Sequence, residues 1–239
     1  MVEAVGRLGL VRARIRAACA ASGREADAVE LIAVSKTYPA DAVREVFEAG
    51  QVVFGESRQQ EAAPKIAVLP AAIRWHFIGR VQRNKVRKLL PAFEVIHALD
   101  SLRLAAAVNE VAAELGLFPK VFLQVNVAGE ASKGGFEPAA LDEAMEALLG
   151  LERLEIQGLM TIPPEGPDAE TARPWFERLR TLRDGLELKH GVSLPGLSMG
   201  MSGDFEVAIA EGATHVRVGS AIFGTRLARV EGELGWKPI

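Results

Sequence analysis

Short apolar runs rich in β-branched residues recur along this chain, and each is followed by an alanine- or leucine-rich stretch with helical spacing. The strand candidates are 31–34, 52–54, 75–78, 95–97, 121–125, 154–159, a weaker one at 197–199, and 215–218. Helical candidates follow at 40–49, 57–68, 82–90, 102–115, 138–149, 169–188, 204–210 and 221–228. Strict β-then-α alternation with short connections calls for parallel strands. Eight such units in about 200 residues fit a closed (β/α)8 TIM barrel, with an open doubly wound sheet as the competing arrangement. Ahead of the first strand, Leu8, Val11, Ile15 and Ala18 or Cys19 recur at helical spacing, which adds an N-terminal helix docked on the barrel. No Pro/Gly/Ser-rich linker divides the chain, so a single domain over residues 1–239 is expected.

Composition narrows the function classes. At 49% hydrophobic and 25% charged, the 239 residues can bury a sizeable core, which excludes disorder. A net charge of -3 argues against a nucleic-acid surface, and the basic stretch from Arg80 to Lys88 reads as a solvated helix face. Cys19 is the only cysteine, which rules out an intramolecular disulfide and a thiolate metal cluster. The four histidines lack metal-ligand spacing. No apolar stretch reaches the length of a membrane span, and the N-terminal arginines lack the serine enrichment of a transit peptide. A cytoplasmic, monomeric protein is expected.

The active face of such a barrel is where strands end and βα loops begin. Polar residues at those points are Lys36, Glu56, Ser57, Gln82, Asn84, His97, Asn126, Thr161, 198–202, Arg217, Gly219 and Ser220, and they are expected to converge on one mouth. Lys36 ends the first apolar run. A desolvated lysine there is a nucleophile able to form a Schiff base, whereas the plainer reading is a strand-capping lysine that reaches into water. Ser198-Met199-Gly200-Met201-Ser202-Gly203-Asp204 leaves the seventh strand for a helix, with Ser202 available to cap it. Val218-Gly219-Ser220-Ala221 repeats the design after the eighth. Two amide-rich turns at helix N-termini point to a phosphate site. Alternation places His215 and Arg217 on one face of their strand, so a buried guanidinium needs either an acidic neighbour or a ligand acceptor. Ser132-Lys133-Gly134-Gly135 lacks the rest of a Walker pattern and reads as a loop.

Taken in order and spacing, Val34-Ser35-Lys36-Thr37, Phe54-Gly55-Glu56, Trp75-His76-Phe77-Ile78-Gly79, Gln124-Val125-Asn126, Gly158-Leu159-Met160, Ser198-Met199-Gly200-Met201-Ser202 and 217–224 resemble the pyridoxal phosphate homeostasis proteins of the YggS/PROSC type. The likeness runs from about residue 31 to 226. It implies a barrel similar to the N-terminal domain of alanine racemase, with pyridoxal 5'-phosphate (PLP) on Lys36, its phosphate in the turns at 198–202 and 219–220, and Arg217 facing the pyridine nitrogen. The expected cofactor-binding set is Lys36, Asn126, Ser198, Met199, Ser202, Arg217, Gly219 and Ser220, with no catalytic and no metal residue. Two segments depart from the family pattern: Ser57-Arg58 stands where Asn-Tyr is usual, and Arg80-Val81-Gln82-Arg83-Asn84-Lys85 replaces Pro-Leu-Gln-Ser-Asn-Lys.

An arginine at the ring nitrogen weakens the electron sink on which PLP enzymes rely. Beyond Arg226 only thirteen residues remain, too few for the β-domain that gives alanine racemase its tyrosine. The expected function is therefore a protein that holds PLP as a Schiff base, buffers it or delivers it to apo PLP-dependent enzymes, and has little or no turnover. Two alternatives stay open: an amino-acid racemase using Tyr38, and a Schiff-base lyase or phosphosugar isomerase on the same barrel.

Overall fold

The computed structural model describes residues 2–130, 133–224, 227–229 and 236–238. Eight parallel strands close into a barrel: β1 Glu30–Val34, β2 Val53–Glu56, β3 Arg74–Phe77, β4 Val95–Leu99, β5 Lys120–Gln124, β6 Glu155–Met160, β7 Gly196–Met201 and β8 His215–Val218. The ring closes where β8 pairs with β1, Ile32 lying beside Arg217 and Ala33 beside Val218. The open doubly wound sheet is thereby excluded. Helices α2 Ala40–Glu48, α3 Gln59–Val68, α4 Val86–Leu89, α5 Leu102–Leu115, α6 Pro138–Leu149, α7 Arg173–His190, α8 Phe205–Ala210 and α9 Ser220–Phe223 follow the strands in turn.

Side-chain alternation sorts each strand into a wall and a lumen. Leu31, Ala33, Phe54, Trp75, Phe77, Ile96, Val121, Leu123, Leu197, Val216 and Val218 face outward and form one continuous core with helix residues such as Val43, Val108, Leu141, Phe176 and Ile209. Removing each such side chain from water stabilises the fold by about 1.5–3 kcal/mol. The lumen is different. His76, His97, Phe122 and His215, from β3, β4, β5 and β8, stack on one another across it, with ring centroids 4.7–6.5 Å apart. At the end of the barrel where strands begin, Arg74 bonds Glu30 at 2.9 Å and Glu94 at 2.8 Å.

The N-terminal helix α1, Val2–Ala21, buries Leu8, Val11, Ile15 and Cys19 and packs against α2, α8 and α9, as its spacing requires. Two helical expectations need correction. The 82–90 stretch is a 3-10 turn, Arg83–Lys85, followed by the single turn of α4. The last helix does not run to 228: Gly224, at φ 92°, ends α9, and β9 Leu227–Arg229 pairs antiparallel with β10 Trp236–Pro238. Thr225 and Arg226 lie outside the described residues, as does Ser132 of the 132–135 loop. Among the described residues, no helix is long and apolar enough to cross a membrane.

Candidate functional site

Lys36 lies two residues past Val34, on the parity of Ile32 and Val34, and is half-buried. Its neighbour Thr37 has φ 72°, the one non-glycine with positive φ among the described residues. A β-branched residue in the left-handed region costs about 1–2 kcal/mol, strain that persists only where surrounding contacts hold it. Those contacts are present on both sides. Tyr38 stacks on Phe223 with centroids 4.8 Å apart, and its hydroxyl donates to the Gly224 carbonyl at 2.6 Å. On the other side, Lys65 of α3 donates to the Ser35 carbonyl at 2.8 Å and to Glu56 Oε1 at 2.7 Å, while the Ser35 hydroxyl donates to the same oxygen at 2.7 Å.

The turns after β7 and β8 meet beside this loop. Gly200, at φ 92°, leaves β7 where a Cβ would come within 2.6 Å of Ala208, so no other residue fits. Asp204, not Ser202, is the residue at the start of α8, and its Oδ1 accepts from the Met201 amide at 2.6 Å. The capping expected of Ser202 is replaced by a bridge: its hydroxyl oxygen accepts from the amides of Gly219 at 3.2 Å and Ala221 at 3.5 Å. Two amides thus converge on one oxygen. Gly219 is so close to β1 that a Cβ would lie 3.3 Å from the Val34 carbonyl. Ser220 is exposed at the rim. Ser202, Gly219 and Ser220 are therefore brought together against the end of the strand that carries Lys36.

Below them, Arg217 is 5% exposed, and its hydrogen-bond partners among the described residues are a hydroxyl and a carbonyl rather than a carboxylate. It donates through Nη1 to Ser198 Oγ at 2.6 Å and through Nη2 to the Thr161 carbonyl at 2.9 Å. Burial lowers its affinity for the proton to a pKa of about 10, with Asp204 acting in the opposite direction. A guanidinium has five N–H donors, so two bonds leave others directed elsewhere.

Three expected members sit differently. The side chain of Met199 belongs to the outer core because β7 alternates, which leaves only its main chain for the mouth. Asn126 spends its side-chain amide inside its own loop, donating to the Glu130 carbonyl at 2.9 Å. Glu56 follows the inward Gly55 and so points out through the wall to Lys65, away from the mouth. Gln82 and Asn84 are exposed. Nothing in the sequence of α3 distinguishes Lys65 from a surface lysine, and no local pattern marks His76 as a lumen residue hydrogen-bonded to His97.

The arrangement brings together a strand-end lysine, a turn whose Gly219 and Ala221 amides converge on the Ser202 hydroxyl oxygen, and a buried guanidinium with donors beyond its two bonds. Residues 8–227 match the family described as alanine racemase, N-terminal domain, which fixes the class of barrel. The pyridoxal phosphate homeostasis protein of Aquifex aeolicus is 45% identical over 226 residues, 94% of this chain and 99% of that protein. Its counterpart in Pseudomonas aeruginosa is 47% identical over 218 residues, 90% and 93% of the two chains. A solved structure of PipY from Synechococcus elongatus PCC7942 with PLP bound is similar at a TM-score of 0.81 and 39% identity, covering 92% of this chain and 100% of that one. The chain belongs to the pyridoxal phosphate homeostasis protein family.

Proposed function

We propose that this protein binds PLP, holds it through a Schiff base on Lys36, and serves intracellular PLP homeostasis by keeping the cofactor or passing it to apo PLP-dependent enzymes. The names of the relatives and the PLP-bound PipY structure support this reading. The observation that carries it is Arg217: a buried cation whose partners are a hydroxyl and a carbonyl, next to an amide turn and a strand-end lysine. These residues fit the cofactor. Lys36 offers the amine, the turn at Ser202, Gly219 and Ser220 offers hydrogen-bond donors to a phosphate, and Arg217 offers donors to the ring nitrogen; Ser198 orients Arg217, and Met199 contributes only backbone.

Bound PLP supplies an aldehyde for condensation with an amine and, when its ring nitrogen is protonated, an electron sink. Arg217 opposes that protonation, because a neighbouring like charge disfavours the charged form of a base. Little turnover is the consequence. The racemase alternative is not favoured: the hydroxyl of Tyr38, the chain's only tyrosine, is engaged by Gly224 and its ring by Phe223. Exchange of the α-proton of L- and D-amino acids in deuterated buffer tests this. The PLP-loaded protein should exchange far more slowly than about 1 per second, the low end of ordinary enzyme rates. Exchange at or above that rate would overturn the carrier reading in favour of the racemase.

A further inference from the structure

Beneath Arg217 the lumen holds a file of polar side chains that neither the amine nor the amide turns use. Ser198 Oγ, which accepts from Arg217 at 2.6 Å, lies 2.8 Å from His97 Nδ1. His97 Nε2 lies 3.1 Å from His76 Nδ1, and His76 Nε2, which has no hydrogen-bond partner among the described residues, faces Glu30 Oε2 at 4.0 Å. The hydrogen-bonded file runs through β8, β7, β4 and β3, from the mouth down the lumen.

The mouth end of the file fixes its proton directions. A guanidinium only donates, so the Ser198 oxygen accepts from it, and among the described residues His97 Nδ1 is the one partner left to which the buried hydroxyl can give its proton. The proton of His97 then resides on Nε2 and is donated to His76 Nδ1. That places the proton of His76 on Nε2, toward a carboxylate. The opposite direction would set a lone pair of His76 against Glu30. The Glu30 carboxylate, though beyond hydrogen-bond distance, favours the same pair of tautomers. Burial keeps the imidazoles neutral, holding His97 well below its ordinary range and His76 down at about 3. The other ionisable groups around His76 are His215, whose Nε2 is 3.5 Å from Glu30 Oε2, and Arg74, Glu94 and Lys120 at the strand starts.

We propose that His97 and His76 are positioning residues for Arg217: the one-way file Arg217, Ser198, His97, His76 locks the guanidinium in a single orientation. The remaining N–H bonds of Arg217 then face the mouth as donors, so a group seated there must be an acceptor. With PLP placed as proposed above, that group is an unprotonated ring nitrogen; this last step rests on that reading, whereas the file does not.

Two measurements test it. The chain has four histidines, so nitrogen NMR of the histidine-labelled full-length protein, with and without added PLP, is assignable from single His→Gln variants. His76 and His97 should both carry their proton on Nε2 and stay neutral from pH 8 to about pH 5.5. An Nδ1–H tautomer or a charged ring at either position in that range would overturn the proposal. Separately, His97→Leu should weaken PLP binding about tenfold, while His97→Gln, whose amide can accept from Ser198 and donate to His76, should stay within about threefold of wild type. Equal losses in the two variants, or none in His97→Leu, would contradict the positioning role. A wild type that binds no PLP would remove the functional reading and leave the NMR result to decide the file. If His97→Leu does not fold, Ser198→Ala, which removes the same link, replaces it.

Discussion

Lys65 Nζ lies 2.8 Å from the carbonyl oxygen of Ser35, so α3 is tied to the peptide bond that precedes Lys36. The same ammonium neutralises Glu56, which is fully buried and whose other carboxylate oxygen has no hydrogen-bond partner among the described residues. Removing the lysine would leave that charge uncompensated. Lys65→Met should therefore cost about 3–5 kcal/mol in urea unfolding, and Lys65→Met combined with Glu56→Leu should recover at least about 2 kcal/mol, because a buried pair is replaceable by apolar groups while a lone buried ion is not. A double variant as unstable as the single one would show that the pair does not act this way.

Acid should destabilise the barrel through its lumen. Burial first, and neighbouring charges second, hold His76 at about 3 and His215 at about 4, and His97 well below its ordinary value. In the unfolded chain these rings bind protons near pH 6.5. Their folded affinity is depressed, so the stability they confer is present above pH 6.5 and is lost as pH falls toward 4. Each histidine should cost about 2 kcal/mol between pH 7 and pH 5. Urea unfolding at the two pH values should show this fall, and His97→Gln should shrink it by about one histidine's share. A stability that is flat between pH 7 and pH 5 would contradict it.

The amide turn makes a prediction about vitamers. Charge-assisted hydrogen bonds contribute on the order of 1.5–3 kcal/mol each, so pyridoxal without its phosphate should bind at least about tenfold more weakly than PLP. Ser220→Ala should do little, since the exposed hydroxyl adds to a site made largely of amides. Gly219→Val should do much more, because its Cβ would press on Val34 at 3.3–3.4 Å. Equal affinity for pyridoxal and PLP, measured by equilibrium dialysis, would remove the phosphate site.

The barrel was legible because β-then-α alternation is a property of local pattern, and the parity of His215 and Arg217 could be read from a single strand. The turn at Gly219 was legible for the same reason. What escaped depended on partners far apart in sequence. Glu56 looked like a mouth residue until β2 showed Gly55 facing inward and the carboxylate meeting Lys65 from the next helix. Ser202 looked like a helix cap because its helix follows closely, yet its oxygen is claimed by amides seventeen and nineteen residues away. The link from His97 to Ser198 spans 101 residues and has no local signature. The helix expected to 228 failed at Gly224, where a left-handed turn ends it.

Lys36 is the residue proposed to carry the cofactor. Its strand-end position, the strained Thr37 beside it, and the clamps from Lys65 and Tyr38 fix the backbone around Lys36, and the turn at Gly219 packs on Val34 of the same strand. The most direct measurement is borohydride reduction of the PLP-incubated protein followed by peptide mass spectrometry. The expected result is a pyridoxyl group on Lys36, with loss of the visible absorbance band on reduction. A pyridoxyl group on a different lysine, or none after incubation with excess PLP, would contradict it.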